Sequence, residues 1–161
     1  YAKSRRFENI GLLGHSLGGL VALKGYSSDI GAMVLTAPVT NKVRYTWDKR
    51  YSSEQLSELS ENGYITMLRE EGVRKKFIIG KQMLKDRESV DPEGILPAVK
   101  CPVLIVHGAE DGRVPVDDSK NAVKYLPLES HLVIVDGADH KFKNKVDNFI
   151  EHTVLWFNEY L

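Results

Sequence analysis

The sequence predicts an α/β fold, a parallel sheet with flanking helices, and three observations predict it. Short apolar runs of strand length, at residues 10–13, 30–36, 102–107 and 132–135, alternate with stretches of helical character. Most of these runs are continuously apolar, the pattern of strands buried on both faces. The third observation is chemical: a glycine-flanked serine, an acidic loop and a histidine-bearing loop each follow one of these runs.

The first strand is predicted over residues 8–13, and Leu20-Val21-Ala22-Leu23 opens a helix expected to reach Tyr26. Between them stands Gly14-His15-Ser16-Leu17-Gly18-Gly19, the G-x-S-x-G pattern of a nucleophile elbow. A serine there takes a strained backbone so that its hydroxyl stands clear of the turn. Side chains at positions 14 and 18 are expected to collide, and Gly19 lets the helix lie close to the neighbouring strand. The competing reading, a glycine-rich turn around a phosphate, lacks both G-x-G-x-x-G and a P-loop lysine. Ser27-Ser28-Asp29 is a turn, and the strand at 30–36 closes at Ala37-Pro38. Strand, helix and strand in this order make a right-handed parallel crossover.

Residues 39–99 break the pattern. Ser53 is read as the cap of a short helix over 54–60, stopped by Asn62-Gly63. Residues 64–68 and 73–77 flank Arg69-Glu70-Glu71-Gly72 as a hairpin. Residues 78–88 are read as a helix with Ile79, Met83 and Leu84 on one side, and Asp91-Pro92-Glu93 starts another. A stretch of roughly sixty residues is too long for a crossover loop, so it is an insertion with its own structure. A lid is expected of it, the alternative being a purely structural cap. Its Tyr45, Trp47, Tyr51, Tyr64 and Met67 suit an apolar acyl or aromatic group, or else form the core of the insertion itself.

The strand at 102–107 leads into the loop Gly108-Ala109-Glu110-Asp111-Gly112-Arg113-Val114-Pro115. Asp117 then caps a helix that carries Ala122, Val123 and Leu126 inward. The fourth strand, 132–135, exits through Asp136-Gly137-Ala138-Asp139-His140. In the last helix Val146, Phe149, Ile150, Thr153, Val154, Phe157, Tyr160 and Leu161 form an apolar stripe that packs on the sheet.

Composition excludes several classes. With 161 residues, 42% hydrophobic and 27% charged, the chain is one domain of ordinary globular make-up. Lys plus Arg equal Asp plus Glu at 22 each, which gives no sign of a nucleic-acid partner or an acidic membrane surface. Arg5-Arg6 and Arg74-Lys75-Lys76 read as solvated surface. Cys101 is the only cysteine, so an intrachain disulfide and a thiolate metal cluster are both excluded, and it reads as a small buried hydrophobe. No run has the length of a membrane span, the start has no signal-peptide core, and a cytoplasmic protein is expected. No His/Asp/Glu cluster has metal-ligand spacing, so neither metal nor cofactor is expected. The first residue is Tyr, which reads as a truncated or processed chain.

Ser16, Asp111 and His140 each lie just past the carboxyl end of a predicted strand, the edge where open α/β sheets bind ligands. A serine hydroxyl needs a base to take its proton, and the base needs an acid to hold its tautomer. The order Ser, Asp, His along the chain is that of the α/β-hydrolase fold. With the elbow, the loop His107-Gly108-Ala109-Glu110-Asp111-Gly112-Arg113-Val114-Pro115 and Gly137-Ala138-Asp139-His140, the chain resembles the carboxyl-terminal part of an α/β-hydrolase over essentially its whole length.

That resemblance implies Ser16 as nucleophile, Asp111 as acid, His140 as base, and the Leu17 backbone N–H as one oxyanion-hole donor. Against these assignments, Glu110 and Asp136 are alternative acids, and Asp139 is poorly placed to reach the far nitrogen of its neighbour. His15 is expected to point away from Ser16 and support the turn. His107 reads as structural, and His131 and His152 as surface or helix positions. The resemblance also implies strands before the elbow, and a second oxyanion donor, that this chain does not carry. A fragment of a longer hydrolase, or a chain completed by a partner, is therefore expected.

The activity expected is hydrolysis of a small-molecule carboxylic ester by acyl transfer. The ending Gly-Ala-Asp-His-Lys-Phe is similar to that of small-acyl and aromatic-acid esterases, dienelactone-hydrolase-like proteins and serine aminopeptidase-like members. Peptide and thioester substrates therefore stay open. The rival from another class is a non-catalytic fragment or binding module that keeps the three residues without a complete site.

Overall fold

The computed structural model describes residue 4 and residues 7–42, 47–70 and 72–161; Arg5, Arg6, Tyr45 and Glu71 lie outside the described residues. The chain divides into two compact units, one of Tyr1–Asn41 with Pro92–Leu161 and one of Lys42–Asp91.

The first unit is built on a four-stranded sheet in the order β1-β2-β5-β6, every neighbouring pair parallel. β1 spans Gly11–His15 and β2 Ala32–Thr36, with β5 at Val103–Gly108 and β6 at His131–Val135. β1 starts later than expected and runs through Gly14 to His15, because its ladder with β2 continues from Gly11↔Ala32 to His15↔Thr36. The elbow serine therefore leaves the strand directly. Helix α1, Leu17–Lys24, follows and is closed by Gly25, short of Tyr26.

Successive side chains of a strand face opposite sides, and β2 uses both. Met33 and Leu35 join Val103, Ile105, Leu23, Ala122 and Leu126 in one cluster. Ala32 and Val34 join Leu104, Val106, Phe142 and Trp156 in the other. Every residue of β2 and β5 is buried, which is why both read as unbroken apolar runs. Replacing Leu35 or Ile105 by Ala would cost about 2–5 kcal/mol.

Two helices depart from expectation. α6 spans Val116–Ala122 with Pro115 at its N-cap, so Asp117 sits inside the first turn and complements the helix dipole instead of capping it. α7, Val146–Tyr160, buries Trp156 and packs Phe149, Phe157 and Tyr160 on the sheet, while Val146, Ile150 and Val154 are exposed. The apolar stripe is narrower than expected: at 3.6 residues per turn Ile150 and Val154 lie roughly 120° or more from Trp156, and Val146 is the first residue of the helix. α5, Pro92–Ile95, and the short 3-10 turn after it belong to this first unit.

The second unit holds α2 (Trp47–Arg50), α3 (Ser53–Asn62), the hairpin β3 (Tyr64–Leu68) with β4 (Lys76–Gly80), and α4 (Lys81–Glu88). Ser52, not Ser53, caps α3: its hydroxyl accepts from Gln55 N at 3.3 Å while Gln55 Oε1 accepts from Ser52 N at 3.1 Å, a capping box. Gly63 ends the helix in the left-handed region, φ 76°. The second hairpin strand lies later than residues 73–77, with Ile79 opposite Ile65. Ile78 and Ile79 are therefore strand residues, as β-branched side chains favour, and of the expected helical face only Leu84 is buried. Tyr51, Ile65 and Leu84 form the core of this unit, with Trp47, Leu56 and Met67 packed against it. Among the described residues, no helix is long and apolar enough to cross a membrane.

Candidate active site

Ser16 sits at φ 54° and ψ −120°, a conformation that costs a non-glycine residue about 1–3 kcal/mol. Three backbone bonds hold it there. Ser16 N donates to Thr36 O at 2.9 Å, and Ser16 O accepts from Gly19 N at 3.0 Å and Val39 N at 3.1 Å. A Cβ on Gly14 would lie 2.6 Å from Gly18 O, and one on Gly19 would lie 2.7 Å from Pro38 Cβ. A Cβ on Gly18 would meet nothing within 4 Å. The steric demand thus falls on positions 14 and 19, and the collision expected at 18 does not exist. Leu17 is the first residue of α1, where a backbone N–H has no acceptor inside the helix.

Asp111 follows β5 and His140 follows β6, and parallel pairing brings both loops to the same sheet edge as Ser16. Asp111 is saturated with donors. Its Oδ1 accepts from Arg113 N at 2.8 Å and Val114 N at 2.9 Å, and its Oδ2 accepts from His140 Nδ1 at 2.8 Å. Burial alone would raise its pKa, but the Val114 N–H, the His140 ring and the Arg113 N–H together hold it below the ordinary carboxylate value. With Nδ1–H given to the carboxylate, His140 Nε2 is left as an acceptor, and Ser16 Oγ lies 3.1 Å from it. The hydroxyl and imidazole come from positions 124 residues apart. A hydroxyl, an imidazole and a buried carboxylate in one hydrogen-bonded line can pass a proton off the hydroxyl as it attacks a carbonyl.

The neighbouring groups divide differently from the sequence reading. His107 is completely buried, with Nδ1 2.7 Å from Ser119 Oγ and Nε2 3.0 Å from Val114 O. Its Nε2 also lies 3.2 Å from Asp111 Oδ2. Two acceptors at Nε2 place the proton there, so in the neutral ring the Ser119 hydroxyl donates to Nδ1. His107 therefore lies against Asp111 as well as bracing the loop. Only its place four residues before Asp111 could have signalled this.

His15 was expected to point away from the serine. Its Nδ1 does engage Thr36, at 3.0 Å from Oγ1 and 3.1 Å from O, but its ring packs 4.9 Å from that of His140. Burial and the nearby His140 lower its pKa, against opposing effects of Thr36 O and Asp111. Glu110 and Asp136 are exposed, and Asp139 turns its Oδ1 to the backbone N–H groups of Lys141 and Lys143, each at 3.0 Å. His131 is exposed on β6, its ring near that of Trp156, and His152 lies on α7. Cys101 is buried and free, and burial raises its thiol pKa.

The profile of the prolyl oligopeptidase family matches residues 5–161. A search of curated proteins finds no match. Among solved structures, the chain is similar to the monoacylglycerol lipase of Paleococcus ferrophilus, at 18% identity and TM-score 0.71, over 96% of this chain and 70% of that one. It is similar to the esterase domain of a Rhodothermus marinus protein at 23% identity and TM-score 0.62, over 90% of this chain and 58% of that one. Est1E from Butyrivibrio proteoclasticus, with ferulic acid bound, aligns at 19% identity and TM-score 0.66, over 98% of this chain and 63% of that one. The chain thus spans less than two thirds of the length of these last two structures. Identities so low establish the fold, a parallel sheet flanked by helices as in α/β-hydrolases, of which this chain carries a part. By the match over residues 5–161, the chain belongs to the prolyl oligopeptidase family.

Proposed function

We propose that the protein is a serine hydrolase that cleaves carboxylic esters by acyl transfer through Ser16. The observation that carries this reading is the unbroken line from Ser16 Oγ to His140 Nε2, 3.1 Å, and from His140 Nδ1 to Asp111 Oδ2, 2.8 Å. Ser16 Oγ attacks the ester carbonyl while its proton moves to His140 Nε2. The imidazolium is stabilised by Asp111, and the proton passes to the departing alkoxide as the carbon–oxygen bond breaks. Water then repeats the sequence on the acyl-enzyme. The Leu17 N–H is one donor to the oxyanion. No cofactor or metal takes part in these steps.

The insertion is proposed as a lid, on the ground that it interrupts the chain between two strands whose carboxyl ends border the site. Of the residues that suited an apolar substrate group, Trp47, Tyr51 and Met67 belong to its own core and carry no argument for substrate binding. We also infer that an amino-terminal segment or a partner chain completes the sheet beside β1, an edge strand on which Leu13 is exposed.

Membership of the prolyl oligopeptidase family favours a second reading, in which the same residues cleave a peptide bond. Turnover of 4-nitrophenyl acetate against that of a proline 4-nitroanilide by the full-length protein separates the two. Ester turnover with no anilide turnover is expected, and anilide turnover of comparable kcat/KM would overturn the ester assignment in favour of the peptidase.

A further inference from the structure

We propose that a pocket beside His140 takes an anionic group of the substrate, a carboxylate or a phosphate, on the portion that departs from the acyl group. The inference rests on the reading of Ser16, Asp111 and His140 given above and adds the substrate class to it.

An open pocket of about 300 Å³ is lined by Gly112, Arg113, Asp139, His140, Lys141 and Lys143. It gathers three cationic side chains around one carboxylate, in a protein whose charges balance overall at 22 against 22. Among the described residues, no ion pair involves Arg113, Lys141 or Lys143. The one carboxylate present, Asp139, accepts the backbone N–H groups of Lys141 and Lys143 at Oδ1, and its charge offsets part of that of the two lysine side chains.

The backbone explains why the cations stand there. Phe142 adopts φ 55° and is buried against the sheet, its ring 5.5 Å from that of Phe149. Phe142 N donates to Asp139 O at 3.0 Å and Phe142 O accepts from Lys145 N at 2.9 Å, so the loop is tied on both sides of the buried ring. With Phe142 plugged inward, Lys141 and Lys143 are left exposed on either side of it. Arg113 is fixed by the same device that fixes the acid, since its N–H donates to Asp111 Oδ1 at 2.8 Å. All three cations are thus rooted in the segments that hold Asp111 and His140.

His140 is the group that returns a proton to the departing oxygen, so a pocket with His140 in its wall lies beside the departing portion. Exposed ion pairs are individually weak and screened by salt; three acting together give about a tenfold preference at low ionic strength. Lysine is a point charge that accepts either anion, whereas Arg113 can bind a planar carboxylate or a phosphate edge in bidentate fashion.

The test is an NMR titration of the full-length protein carrying Ser16→Ala with 4-hydroxybenzoate, methyl 4-hydroxybenzoate and phenyl phosphate. The proposal expects 4-hydroxybenzoate or phenyl phosphate to bind about tenfold more tightly than the neutral methyl ester. Whichever anion binds better identifies the group. The preference should fall below about twofold when Arg113→Gln, Lys141→Gln and Lys143→Gln are combined, and should persist in Lys141→Arg/Lys143→Arg. Equal binding of anion and neutral ester, or a preference that survives the neutralised variant, overturns it. Turnover of methyl 4-acetoxybenzoate by the unsubstituted protein reports separately on the hydrolase reading. Its absence would remove that reading and leave the anion-binding result standing.

Discussion

Ser16 carries two burdens at once, a strained backbone and a hydroxyl aimed at His140, and substitutions can separate them. In Ser16→Ala the Cβ and its strain remain and the hydroxyl is gone, whereas Ser16→Gly removes both. Alanine usually stabilises relative to glycine; here Ser16→Gly should be the more stable variant by about 1–2 kcal/mol in urea denaturation. The usual order, with Ser16→Ala more stable, would contradict the strain. The three partners of Ser16, Asp111 and His140 were legible in the sequence because each follows an apolar run with loop chemistry of its own. The contacts of His107 with Asp111, and of His15 with His140, were not. The first depends on how the loop after β5 folds back on its own strand, and the second on two rings from separate segments meeting at the sheet edge.

The depressed pKa of His15 makes a signed prediction. Its folded-state value lies below the ordinary 6.5, so between the two the unfolded chain binds more protons. Stability should therefore rise with pH through that window, be complete above the ordinary value, and fall on acidification. Thermal melts of the protein and of His15→Gln between about pH 5 and pH 8 check this. The slope should flatten in the variant, and parallel curves would show that His15 is not the group responsible. Asp111 contributes in a lower window: its folded value is depressed, so its contribution is present above the ordinary carboxylate range and lost as pH falls through the lowered value.

At the scale of elements, the elbow shows where pattern reading stops and packing decides. Glycines at 14, 18 and 19 look equivalent in the sequence, yet only Gly14 and Gly19 have a neighbour that a methyl group would strike. Gly14→Ala should cost about 2–3 kcal/mol, as a small-to-large change against backbone atoms does. Gly18→Ala should be neutral or stabilising by up to about 1 kcal/mol, since it adds a better helix former in open space. Denaturation midpoints of the two variants give the answer directly, and equal losses would refute the steric account. The strands and long helices were legible because burial imposes a period. Boundaries were less so, as at β4, where Ile78 and Ile79 suit a strand or a helix and pairing with β3 settles the matter. The cap of α3 moved by one residue for a similar reason, since only Ser52 has Gln55 three positions on.

At the scale of the molecule, α7 lays its aromatic side on one face of the sheet, against β2 and β5, and β1 and β6 are the two edge strands. Leu13, Leu17 and Val21 are exposed near that edge, so the surface in front of the elbow is apolar and unpaired within this sheet. The family resemblance, which implies strands before the elbow, anticipated this edge. It could not convey that the line from Ser16 to Asp111 is formed by this first unit alone.

The most direct measurement of the central claim is covalent labelling of the full-length protein by a fluorophosphonate, which reports an activated serine whatever the natural substrate is. The label should map to Ser16, disappear in Ser16→Ala, and fall by at least about a thousandfold in rate in His140→Ala. A folded protein that takes no label, or a label that persists in Ser16→Ala, would contradict the account.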